Sequence, residues 1–109
     1  LEANRSEIAL ATRAAEAEAI ARSGRRIAFL SVENSYPLGN SVAGLADWYR
    51  AGIRMAGPVH NGGNQFGDSA SGGTQSWGGL SPLGREVVRE MNRLGMIIDG
   101  SHASDAGLA

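Results

Sequence analysis

At 109 residues, with 42% hydrophobic and 19% charged side chains, the chain has the balance of a folded globular segment of one domain at most, and not of a disordered one. A net charge of −1 without a basic face argues against nucleic acid, and no apolar run approaches the ~18 residues a membrane helix needs. The absence of cysteine excludes disulfides and thiolate metal sites, leaves His and carboxylate as metal ligands, and favours a reducing, cytoplasmic setting.

Residues 5–23 are rich in Ala with Glu and Arg interspersed, so propensity predicts a helix. Asn4 or Ser6 would cap its start and Gly24 its end. Ile8, Ala11, Ala15 and Ile20 give it only a thin apolar stripe, which suits an outer surface. The apolar run Ile27 to Val32 reads as a buried strand that stops at Glu33 and breaks into an Asn/Ser/Pro/Gly turn. A second helix is predicted from Asn40 or Ser41 to Ala51, with Val42, Leu45, Trp48 and Tyr49 on one face and Gly52 after its end. Ile53 to Val59 reads as a second strand that His60 terminates, although Pro58 cannot donate to a ladder.

Residues 61–79 hold seven Gly, three Ser and two Asn and read as one long loop, of the kind that forms lids, binding loops or disordered inserts. Phe66 and Trp77 in it could line a pocket or pack the loop down. A third helix follows with signals at both ends: Ser81 as N-cap, Pro82 at the first helical position and Gly95 just past the last. Leu83, Val87, Val88, Met91 and Leu94 form its apolar face, and Glu86–Arg89 and Glu90–Arg93 pair on the other. Met96 to Asp99 is a third short strand, Gly100-Ser101-His102 a turn, and Ala103 to Ala109 the start of another helix. Alternating helices and strands of these lengths imply an α/β fold with parallel strands and helical crossovers, about three βα units of a larger (β/α) protein. The chain begins without Met and ends without a stop signal, so both ends look cut and residues 1–109 read as a fragment of a single domain.

Glu33, His60 and His102 all stand at predicted carboxyl ends of strands, and in a (β/α) barrel those ends converge on the active-site face. Taken singly, each has an ordinary reading: a solvated carboxylate, a loop histidine, a structural histidine. Together they offer a Glu and the chain's two histidines to one pocket, a donor set suited to zinc or a similar divalent ion. Asp99 and Asp105 flank His102, and either could orient its imidazole or cap a helix. The Gly62-Gly63 and Gly72-Gly73 pairs lack the following Lys and helix of a phosphate cradle.

Several blocks in order resemble one family. Ser31-Val32-Glu33-Asn34-Ser35-Tyr36-Pro37-Leu38-Gly39-Asn40-Ser41 resembles the bridging-glutamate segment of the renal (membrane) dipeptidases. Val59-His60-Asn61-Gly62-Gly63-Asn64-Gln65, with Asp68-Ser69-Ala70 behind it, is similar to that family's Thr-His-Asn segment. Gly79 to Val88 and Met91 to Met96 resemble the helix before a zinc-ligand strand, and Ile98-Asp99-Gly100-Ser101-His102-Ala103-Ser104-Asp105 the segment bearing a zinc-binding histidine. The resemblance implies a (β/α)8 TIM-barrel metallopeptidase with two zinc ions that hydrolyses dipeptides. By position, Glu33 would bridge the two metals, His102 would ligate one, and His60 would polarise the substrate near the scissile carbonyl. The family's His-x-Asp motif, a further zinc-binding His, and the Arg and Asp that hold the substrate's ends would fall outside these residues. The chain alone is therefore expected to be inactive and to bind zinc weakly. A dipeptide is the implied partner and a homodimer a candidate assembly. Two other readings stand beside the enzyme: a non-catalytic barrel serving as a binding module, and another amidohydrolase-type metal hydrolase.

Overall fold

The computed structural model describes residues 2–109. Its elements run β1 (Ile8–Leu10), α1 (Ala14–Arg22), β2 (Arg26–Ala28), β3 (Leu30–Val32), α2 (Gly44–Arg50), β4 (Ile53–Ala56), α3 (Pro82–Leu94), β5 (Ile97–Ile98) and α4 (Asp105–Leu108). Every strand pair is parallel: β1 lies beside β2, and β3, β4 and β5 lie side by side in that order. The architecture is mixed α/β with parallel strands joined through helices.

The amino-terminal region corrects the expected helix over 5–23. Ile8-Ala9-Leu10 is a strand, in register with Arg26-Ile27-Ala28, and the helix begins only at Ala14. Helix preference among ordinary residues differs by at most ~0.7 kcal/mol each, less than parallel pairing beside β2 supplies. The start of α1 is set by Glu16, whose carboxylate accepts from Thr12 N at 2.8 Å, Thr12 Oγ1 at 2.9 Å and Arg13 Nε at 3.0 Å. With β1 included, and β2 and β3 taken as one interrupted strand, the described residues hold four strand–helix units where about three were expected.

The predicted strand Ile27–Val32 is divided by Phe29, which is 61% exposed. The half before it pairs with β1 and the half after with β4, where the register shifts between Leu30 and Ser31. β4 also ends earlier than expected, at Ala56, leaving Gly57-Pro58-Val59 as a buried extension outside the ladder. The second helix is shortened in the same way. Tyr36–Leu38 forms one 3-10 turn, Gly39 takes φ 65°, and α2 starts only at Gly44. α3 matches its expectation at both ends: the Ser81 side chain accepts from Gly84 N, and Gly95 takes the left-handed φ of 75°.

The core lies between the helices and one face of the strands. Leu45, Ala56, Phe66, Val87, Met91 and Met96 are buried together, with Trp48 and Tyr49 packed partly against them. Each fully buried large side chain stabilises by about 1.5–3 kcal/mol. Phe66 enters this core from the Gly-rich segment 61–79, so that segment is packed down and not a free lid. Isolated bridges join Asn64 to Gly67, Gly67 to Leu80 and Ser69 to Ala103. α3 approaches the segment closely enough that a side chain at Gly84 would strike the Phe66 backbone.

Candidate metal centre

Glu33 follows the last residue of β3, and the turn after it is fixed from several sides. Asn34 takes a left-handed φ of 71°, its Oδ1 accepting from Tyr36 N at 3.2 Å and from Asn64 Nδ2 at 3.0 Å. Ser35 is fully buried and donates both its N–H, at 2.9 Å, and its hydroxyl, at 3.0 Å, to the Gly57 carbonyl beyond β4. His60 comes next along that extension of β4. His102 lies four residues past Ile98, in a turn whose Asp99 carboxylate accepts from Ser101 N at 2.9 Å. That bond, with the Ser101 side chain beside it, holds the Asp99 carboxyl below its ordinary range. His102 itself takes a left-handed φ of 65°, a conformation that is costly for a residue with a side chain.

These three turns bring the three expected residues to one place. His60 Nε2 and His102 Nε2 each lie 3.3 Å from the same oxygen, Glu33 Oε1. The two imidazoles meet edge to face with ring centroids 4.4 Å apart, and one ligand atom from each of the three residues lies within 4.8 Å of the others. The carboxylate is 65% exposed and the imidazoles 37% and 30%, so the group is open on one side. Donors ~2.1 Å from a tetrahedral metal stand about 3.4 Å apart, so both oxygen–nitrogen separations suit a shared divalent ion. An open side is also what a catalytic ion requires for water or substrate. Neither Asp99 nor Asp105 accepts a hydrogen bond from the His102 ring among the described residues; Asp99 serves its own turn, and Ser104 caps α4.

The sequence reading missed what holds this place together. Asp68 is 2% exposed, and its carboxylate accepts from the backbone N–H groups of Ser76, Trp77 and Gly79 at 2.7, 3.1 and 3.0 Å. The Gly79 amide first, and the Trp77 and Ser76 amides with it, hold its carboxyl below the usual carboxylate range despite burial. In the sequence it shows as a lone acid among glycines, where exposed backbone amides want an anion, and as the first residue of the Asp68-Ser69-Ala70 block that follows the family-like segment. Trp77, half-exposed, donates its indole N–H to the Asn64 carbonyl at 2.9 Å, bracing the loop from outside.

The model of the membrane dipeptidase family, peptidase family M19, matches residues 1–109. Dipeptidase tcpJ of Claviceps purpurea is 39% identical over 99 residues, covering 91% of this chain and 23% of that protein. The probable dipeptidase PvdM of Pseudomonas aeruginosa superposes with a TM-score of 0.93 at 32% identity, over 98% of this chain and 28% of that one. A metallopeptidase of Rhodobacter sphaeroides, solved with a phosphinate mimic of the dipeptide L-Ala-D-Ala, superposes with a TM-score of 0.87 at 27% identity, over 97% of this chain and 31% of that one. The chain thus spans less than a third of the length of these relatives. Matched by the family's model from end to end, the chain belongs to the membrane dipeptidase family of metallopeptidases.

Proposed function

We propose that this chain is part of a (β/α)8-barrel zinc dipeptidase and carries one side of its binuclear centre. The observation that carries the reading is the meeting of Glu33, His60 and His102 around one carboxylate oxygen, in a chain of this family. Glu33 would bridge the two ions and His102 would hold one, while His60 would donate a hydrogen bond to the carbonyl oxygen as charge develops on it. Two zinc ions, when bound, supply an activated water at neutral pH and polarise the carbonyl. The barrel part of the reading is supported by the sheet's uncovered face. Phe29 and Ile97, each 61% exposed, flank a cavity with Leu30, Ser31, Arg54 and Met55, where a closed barrel would pack its interior layers.

The equal 3.3 Å distances favour a second role for His60, as a metal ligand. Both roles are tested in the full-length protein by zinc content and dipeptide hydrolysis. Glu33→Gln is expected to lose both. His60→Ala keeps its zinc and loses about 10²–10³ in kcat if His60 is an oxyanion donor, and loses zinc if it is a ligand. Full activity in Glu33→Gln, or undiminished turnover after chelation, overturns the reading. A binding module in place of an enzyme would show dipeptide binding without turnover, and an amidohydrolase-type enzyme would prefer cyclic amides.

A further inference from the structure

His60 and His102 both stand past the ends of their strands, beyond any ladder hydrogen bond, so something other than the sheet must set their separation. Three consecutive residues of the Gly-rich segment do so. Ser69 Oγ donates to the His60 carbonyl at 2.5 Å, and Ala70 N donates to the His102 carbonyl at 2.9 Å. The Asp68 carbonyl accepts from Ser104 N at 3.1 Å, and Ser69 bridges Ala103 across the same gap. Asp68 and Ser69 are 2% and 1% exposed, and no cationic side chain donates to the Asp68 carboxylate among the described hydrogen bonds. Its carboxylate gathers the amides of Ser76, Trp77 and Gly79 instead, closing residues 68–79 into a ring around one anion. The Ser69 hydroxyl also accepts from Ser71 N at 3.1 Å, which leaves it one orientation for its bond to His60.

We infer that Asp68 and Ser69 are positioning residues for the metal centre: Ser69 fixes the His60 backbone against that of His102, and Asp68 fixes Ser69. The functional meaning of this clamp rests on Glu33, His60 and His102 forming the centre proposed above; its geometry does not. Among the described residues neither Ser69 nor Asp68 hydrogen-bonds to the carboxylate or the imidazoles of that centre; their bonds reach the histidines through backbone carbonyls.

The chain has only two histidines, so cross-relaxation between imidazole protons reports their separation directly by NMR. Opening the 4.4 Å ring pair by about 1 Å, the looseness that spoils a preorganised site, lowers that signal about threefold through its inverse sixth-power dependence. Ser69→Ala and Asp68→Asn are each expected to show at least that loss in this 109-residue chain. Ser81→Ala is the control: it is equally buried and also donates to a loop carbonyl, that of Gln65 at 2.6 Å, but holds neither histidine. It should lower thermal stability while leaving the imidazole signal unchanged. In a cobalt titration of the full-length protein, apparent affinity should fall about 10–100-fold in Ser69→Ala and stay within twofold in Ser81→Ala. An unchanged ring signal in Ser69→Ala, or an equal loss in Ser81→Ala, overturns the clamp, and should Asp68→Asn not fold, Ser69→Ala decides alone. Failure of the unsubstituted full-length protein to bind cobalt counts against the metal centre, while the NMR comparison still decides the positioning role.

Discussion

Gly84→Ala sets two opposed effects against each other at one position. Gly84 sits in the first turn of α3, where replacing Gly by Ala ordinarily stabilises by about 1 kcal/mol. Here a Cβ would overlap the Phe66 carbonyl oxygen outright and stand 2.9 Å from its carbon and 3.3 Å from its Cα. The obstacle is backbone, which cannot rotate away. Phe66 is itself fully buried, and its carbonyl accepts from Ser81 N at 2.9 Å, so the strand of loop and the helix start are tied together. Relieving the overlap requires about 1 Å of relative movement in a close-packed core, at the upper end of the ~1–3 kcal/mol cost of overpacking. Subtracting the helix gain leaves a net loss of about 2 kcal/mol. In urea denaturation with an m-value of ~2 kcal/mol/M, the midpoint should fall by about 1 M with m unchanged. A midpoint equal to or above that of the unsubstituted chain would refute the close packing of α3 on the Gly-rich segment.

Two further outcomes concern charge and capping. Glu16 is held well below its ordinary 4.5, at about 2, chiefly by the Thr12 amide and hydroxyl and then by Arg13. Because the folded state binds its proton less readily, the contribution is present above pH ~4.5 and fades as pH falls towards ~2. Glu16→Gln should therefore be less stable than the unsubstituted chain at neutral pH and should show a flatter loss of stability across that acid window, read by thermal melts against pH. Ser104, 6% exposed, accepts from Gly107 N at 3.2 Å as the cap of α4. Ser104→Ala should cost about 1 kcal/mol, visible as faster amide exchange at Gly107.

What the sequence made legible follows from how local each signal is. α3 could be read to the residue because Ser81, Pro82 and Gly95 act on their own backbone, with no partner needed. β1 could not, because an Ala-rich stretch favours helix alone and becomes a strand only when Arg26–Ala28 lies beside it. Its trace was present all the same, in the short apolar run Ile8 to Ala11 followed by Thr12 and Glu16. The convergence of Glu33, His60 and His102 was legible from topology, since parallel strands point their carboxyl ends one way. The loop's role was hidden because a buried carboxylate receiving backbone amides leaves no pattern of spacing. A run of glycines looks slack until one anion is seen to gather it.

The left-handed backbone at His102 gives the site a thermodynamic signature of its own. That conformation is comfortable for achiral glycine and strained for a residue with a Cβ, so the fold tolerates at position 102 a strain that a chain optimised for stability alone would remove. Glycine there would relax the backbone and delete the imidazole, whereas alanine would delete the imidazole and keep the strain. The usual order of the two residues in a folded protein is thus inverted at this position. The cost of presenting an imidazole to Glu33 is carried by the peptide chain itself, at the residue that does the presenting.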